Sequence, residues 1–192
     1  MQEDVMRRIK QLLFGMFILA IATGFSNAAD LNDSFLGVKW GTDISKLPDY
    51  GKIAEKYDVS YYGNSKRIYS LFGVEIPYVI FATYENKFYA AYIQVESIEI
   101  FSRLKRHITQ KHGPPRTTLE VQKQQTIYRW KHEDTKIKLK LFELEGKMRL
   151  GFYYSPLANK VNQAQREAFP PLPKSKFPLD EHRLKQAFEV MW

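Results

Sequence analysis

From Lys136 to Leu141 the chain alternates without a break: Lys136, Ile137, Lys138, Leu139, Lys140, Leu141. A period of two belongs to a β-strand, whose successive side chains point to opposite faces. A helix would scatter the same residues around its whole circumference. This stretch therefore has one cationic face for water and one apolar face for a core. The run Lys147–Tyr154 supplies its partner. A two-residue turn at Glu145-Gly146 would set Leu141 opposite Leu150, Leu139 opposite Phe152 and Ile137 opposite Tyr154. An isolated hairpin is not stable, so the chain must extend the sheet and cover its apolar side.

A second long hairpin is expected at Tyr78–Tyr84 and Phe88–Val95. With Asn86-Lys87 as the turn, Tyr84 faces Tyr89, Ala82 faces Ala91 and Ile80 faces Ile93. Phe81 and Tyr92 then meet on the other side, with Phe88 near them. Both faces are apolar, so both need cover. The Ala82–Ala91 pair would leave a shallow spot for a close helix. That helix is expected directly afterwards: Ser97 caps it, Phe101, Leu104 and Ile108 form its stripe, and Gly113-Pro114-Pro115 stops it.

Shorter strands are expected at 35–40, ending in a turn at Gly41, and at 57–62 and 67–72, divided by Gly63-Asn64. Two more are expected at 117–121 and 126–130. Thr42 would cap a short helix through Ile44 and Leu47, ended by Pro48. A further helix would run from about Pro156 to Ala168. These elements define an α+β class: an antiparallel sheet of about five or more strands with a helix packed on one face, plus a C-terminal helical arm.

The ends of the chain read differently. Arg7, Arg8 and Lys10 precede an apolar stretch from Leu12 to Phe25, followed by Ser26, Asn27, Ala28 and Ala29. That order of charge, grease and small residues is expected of a secretory signal peptide, 1–28, cut after Ala28. The apolar stretch falls short of the ~20 residues that span a bilayer, so no stable membrane span is expected after cleavage. Residues 29–168 form the α+β domain. Residues 169–179 are a Pro-rich spacer, and 180–192 an amphipathic helix with Leu184, Ala187, Phe188 and Met191 on one stripe and Trp192 at the end. The expected location is periplasmic or secreted.

The chain has no cysteine. Disulfides, thiol chemistry and a lipid anchor on cysteine are excluded, so core packing must hold the domain. Its 12 Tyr, 13 Phe and 3 Trp supply the material. The formal charge is +8; loss of residues 1–28 removes three basic and two acidic side chains and leaves +7. Outside the cytosol that charge does not point to nucleic acid, which is not expected as a partner.

Catalytic patterns are sparse. His107 and His112 stand five apart on the expected helix, where two zinc ligands on one face would stand four apart. No metal and no cofactor is expected. No G-x-S-x-G elbow occurs, and Gly63-Asn64-Ser65-Lys66 lacks the glycine spacing of a phosphate cradle. Asp33, Asp43, Glu75 and Glu85 would serve a cell-wall hydrolase only if two of them converged in space. An enzyme is not the expected outcome. The candidate binding residues are Phe81, Phe88 and Tyr92 on the first hairpin and Leu184, Phe188, Met191 and Trp192 on the arm. Lys136, Lys138 and Lys140, with Arg149 on the paired strand, form a candidate anion-binding row.

The opening Phe35-Leu36-Gly37-Val38-Lys39-Trp40-Gly41-Thr42 resembles the start of small exported Gram-negative proteins of unassigned function. A similar hairpin, a helix ending at Gly113-Pro114 and an aromatic strand around Trp130 extend the resemblance over residues 35–154. It implies an envelope location and no active-site residue. The expected function is a non-enzymatic binding or adaptor protein of the envelope, holding a protein partner. The alternative is a small-molecule or lipid-binding domain with a small apolar ligand between the first hairpin and helix 98–112. Oligomeric state stays open.

Overall fold

The computed structural model describes residues 31–170. The expected signal peptide, most of the Pro-rich spacer and the C-terminal helix lie outside the described residues, and with them Leu184, Phe188, Met191 and Trp192. The described chain runs β1 (Ser34–Phe35), β2 (Val38–Lys39), β3 (Gly51–Lys56), β4 (Val59–Gly63), β5 (Tyr69–Leu71), β6 (Val74–Ile76), β7 (Ile80–Tyr84) and β8 (Lys87–Val95). Helix α1 (Ile98–His112) follows, then β9 (Arg116–Glu120), β10 (Gln125–His132), β11 (Thr135–Phe142), β12 (Lys147–Tyr154) and α2 (Ser155–Ala168). Eight strands form one antiparallel sheet in the order β3-β4-β7-β8-β12-β11-β10-β9, and β1–β2 and β5–β6 are separate two-stranded ribbons. The class is α+β, as expected.

The order is symmetric about the seam between β8 and β12. Each half is a four-stranded meander followed by a helix, the first half interrupted by β5–β6. The helices take opposite faces. Phe101, Leu104 and Ile108 of α1 join a core with Phe35, Phe81, Phe88, Ile93, Ile137, Leu139, Leu150 and Phe152. Ala158 and Val161 of α2 pack on the other face against Val59, Ala82, Tyr89 and Ala90. The need for cover on both sides of the first hairpin is met in this way.

Left-handed residues set the tight turns. Leu36-Gly37, Tyr57-Asp58, Phe72-Gly73 and Glu85-Asn86 all have both residues at positive φ. That is the two-residue geometry whose twist matches the flanking strands. It corrects several expectations. Residues 35–40 form a hairpin rather than one strand, Tyr57 belongs to a turn, and β3 and β6 are additional strands. The cap of the short helical turn Ile44–Lys46 is Asp43, not Thr42; its carboxylate accepts from the Ser45 amide.

Both long hairpins depart from the expected register, with unequal consequences. In the second, a four-residue loop from Glu143 to Gly146 pairs Phe142 with Lys147, so Leu139 faces Leu150 and Ile137 faces Phe152. The Glu143 amide donates to the Gln124 carbonyl, which draws the loop toward β10. The displacement is two residues, and every side chain keeps its face.

In the first hairpin the turn is Glu85-Asn86, and a bulge falls between Ala82 and Thr83 opposite Tyr89. Thr83 faces Phe88, yet Ala82 faces Ala90 and Phe81 faces Ala91. The extra residue reverses the faces along β8. Phe81 and Phe88 lie together on the α1 side, and Tyr92 is on the α2 side. The shallow alanine spot is Ala82–Ala90, and it receives α2 rather than α1.

Helix α1 follows expectation closely. The Ser97 hydroxyl accepts from the Ile100 amide, and Gly113 ends the helix at φ 81. Trp130 Nε1 donates to the Gly113 carbonyl, tying the helix end to β10.

Candidate functional site

Helix α2 begins beside the β10–β11 turn, where the Ser155 amide donates to the Asp134 carbonyl. It reaches the β3–β4 turn, where Phe169 packs on Tyr57 with ring centroids 4.5 Å apart. It thus covers one end of its sheet face and leaves the other end open. There a cleft of about 590 Å³ lies between Tyr61 of β4, Tyr78 and Ile80 before and on β7, Tyr92 and Gln94 of β8, and Arg149 of β12. Glu96 also lines it.

The seam assembles this cleft. Across β8 and β12, Arg149 stands opposite Gln94 and Gly151 opposite Tyr92. On the far side of β12, Arg149 stands opposite Lys140, Gly151 opposite Lys138 and Tyr153 opposite Lys136. The candidate anion row and Tyr92 therefore share one surface. Phe81 and Phe88 do not: both rings are fully buried in the other core, 5.4 Å apart. They offer no area to a ligand or partner.

Two glycines shape the tyrosine lining. A Cβ on Gly151 would lie 2.9 Å from two atoms of the Tyr153 side chain, and one on Gly63 would lie 2.3 Å from the Tyr78 hydroxyl. Each tyrosine thus lies down over a bare stretch of strand. An isolated glycine inside a strand pattern signals such an approach, and Gly151 could in this way have pointed to Tyr153, two residues on; Gly63, which reads as a turn residue, gave no such mark for Tyr78. Tyr61 and Gln94 carry no comparable local mark.

The tyrosines interlock. Tyr92 meets Tyr153 edge to face at 5.6 Å and Tyr61 at 6.4 Å. Its hydroxyl lies near those of Tyr89 and Tyr153, and each influences the others' ionisation. Burial pushes Tyr61, Tyr89 and Tyr92 above the ordinary phenol range, and pushes Tyr153 up to about 12. All four keep their protons at neutral pH and present hydroxyls that can donate as well as accept.

The cations line up beside them. Lys138 Nζ sits 4.6 Å above the Tyr153 ring, and the Arg149 guanidinium lies 5.6 Å from the Phe142 ring. Lys136 Nζ donates to Asn159 Oδ1 of α2. Burial, then neighbouring positive charge, pulls Lys138 below the ordinary lysine range. Lys140 is lowered first by burial, with Glu120 opposing and Arg129, Lys123 and Arg149 adding to the fall. Among the described residues, Lys138, Lys140 and Arg149 make no ion pair. The three lysines of the row are half-buried rather than fully in water, and Arg149 is exposed.

The cleft combines apolar walls with phenol hydroxyls, one amide side chain and one guanidinium. Glu96 is the one carboxylate among the cleft's lining residues. A shallower concavity of about 330 Å³ gathers Glu55, Asp58 and Glu85 at the hairpin turns on the opposite end of the strands. Among the described residues, no three His, Cys, Asp or Glu side chains are placed to hold a metal ion. Comparison with protein-family models, curated proteins and solved structures gave no match.

Proposed function

We propose that the protein is an exported, non-catalytic binding protein whose ligand is a small amphiphilic anion. Its ring or chain lies on Tyr61, Tyr92 and Ile80, and its acidic group meets Arg149. The supporting observation is the juxtaposition across the seam: an unpaired guanidinium beside a tyrosine-lined cleft, with Gln94 and phenol hydroxyls to orient polar atoms. Largely apolar walls with a few convergent polar groups are the usual make-up of a ligand site. Export rests on the basic head, apolar stretch and small residues of 7–28.

The test uses an aromatic sulfonate, anilinonaphthalene sulfonate, followed by fluorescence. The native protein should bind it saturably, one per chain. Arg149→Ala should weaken binding by about tenfold or more, since hydrogen bonds to charged groups contribute ~1.5–3 kcal/mol. Lys131→Ala, outside the cleft, should leave it unchanged. Unsaturable binding, or equal affinity in Arg149→Ala, refutes the reading.

A further inference from the structure

The open end of the sheet carries a second feature, which shares Arg149 with the cleft but has its own apolar tip. Val121 and Leu144 are the two most exposed large hydrophobic side chains described, at 82% and 77%; Ile68, between β4 and β5, has 70%, and Leu119, on β9 beside Val121, has 68%. Val121 lies in the turn between β9 and β10, and Leu144 in the loop between β11 and β12. Pairing of Gln125 with Phe142 brings these two connections to the same end of neighbouring strands. The bond from the Glu143 amide to the Gln124 carbonyl, 2.9 Å, joins them into one tip. Ile98, half exposed at the start of α1, lies at this end too.

The charges around the tip have a defined balance. Lys123 pairs with Glu120 at 3.5 Å and Lys147 with Glu145 at 2.8 Å, so these four nearly cancel. Glu143 accepts from the Thr126 hydroxyl. Arg129 lies 3.7 Å from Glu120. Among the described residues, Lys140 and Arg149, and Lys138 behind them, make no ion pair and lie on the adjoining face, while the exposed carboxylates Glu96, Glu99 and Glu143 at this end offset part of their charge.

We propose that this end docks on the surface of an anionic lipid bilayer, with Val121 and Leu144 entering the headgroup–acyl boundary and Lys140 and Arg149 facing lipid phosphates. Both halves of the feature are needed to choose this occupant. A soluble polyanion would satisfy the cations and leave the aliphatic tip in water. An uncharged apolar partner would cover the tip and strand the cations. An anionic interface accepts both at once. The proposal does not depend on the cleft holding a ligand.

The absence of cysteine permits a site-specific test. Val121→Cys, Leu144→Cys and, at the opposite end, Lys87→Cys are each labelled in the full chain with an environment-sensitive fluorophore. They are then mixed with phosphatidylglycerol or phosphatidylcholine vesicles carrying a bilayer-embedded quencher. Labels at 121 and 144 should shift to the blue and be quenched on the anionic vesicles, and the label at 87 should do neither. Lys140→Glu together with Arg149→Glu should weaken partitioning by about tenfold or more, each cation near the surface being worth about a factor of five. Identical responses at all three positions, equal binding to neutral vesicles, or a blue shift without lipid that grows with protein concentration would each overturn the proposal. The last outcome would mark a contact between copies instead. Val121→Asp should abolish docking and leave anilinonaphthalene sulfonate binding intact, which separates failure here from failure of the ligand reading.

Discussion

Gly151→Ala tests the architecture of the cleft most sharply. Gly151 lies in a strand and is not among the residues at positive φ, so only the space beside it argues against a side chain. The new methyl would stand 2.9 Å from the Tyr153 ring edge and hydroxyl. Ordinary carbon contacts lie near 3.5–4.0 Å, so the ring must move by roughly 1 Å. Tyr92 meets that ring edge to face and Lys138 sits over it, so moving the half-buried ring disturbs both contacts. Overpacking of this kind costs about 1–3 kcal/mol, and disturbing the aromatic pair adds up to ~1 kcal/mol. Against this, alanine gains about 0.5–1 kcal/mol over glycine within a strand. The expected net loss is about 2 kcal/mol, a fall in Tm of roughly 4–8 °C for a domain of this size. In a Tyr153→Leu background the clash disappears and the same substitution should become neutral or stabilising. Urea unfolding of the four proteins of this cycle gives the coupling directly. An equal cost in both backgrounds would refute the reasoning.

Ser97→Ala removes the hydroxyl that accepts from the Ile100 amide and should cost about 1 kcal/mol in urea unfolding, with Ser97→Asp recovering most of it. Glu85→Gly relieves a left-handed residue at φ 50 and should stabilise by about 0.5 kcal/mol after glycine's own entropy is counted; a lower midpoint contradicts the turn geometry. His112 is held below the ordinary histidine value by burial, then by His132 and Lys111. The unfolded chain therefore takes up a proton first, from about pH 6.5 downward. Stability should hold above that pH and fall below it toward the lower folded value, and His112→Gln should flatten this part of the urea-midpoint profile. Identical profiles for the two proteins would rule out His112 as the source.

What could be read in advance follows from where the information sits. Helix α1 was legible because cap, stripe and stop are local: Ser97, then Phe101, Leu104 and Ile108, then Gly113. The faces of β11 were legible because the loop error was even, and two residues return each side chain to its own side. The same reasoning failed on the first hairpin, where the bulge at Tyr89 introduced an odd step and moved Tyr92 away from Phe81. β3 gave no signal because all six of its residues are exposed and its sequence has no apolar alternation. For the site, Lys138, Lys140, Arg149 and Tyr92 were each visible, but their union was not. It depends on Gly151 meeting Tyr92 across two strands that are remote in sequence.

The β8–β12 seam also ties assembly of the proposed ligand cleft to the order of folding. Most other strand pairs join near neighbours and can zip from a turn, whereas this one must close a loop of about 50 residues. Tyr61, Ile80, Tyr92 and Gln94 arrive with one meander, Arg149 and Tyr153 with the other. A chain with only one half folded, or one opened along this junction by a protease or by force, keeps intact hairpins yet has no guanidinium beside its tyrosines. The proposed site thus exists only in the finished fold.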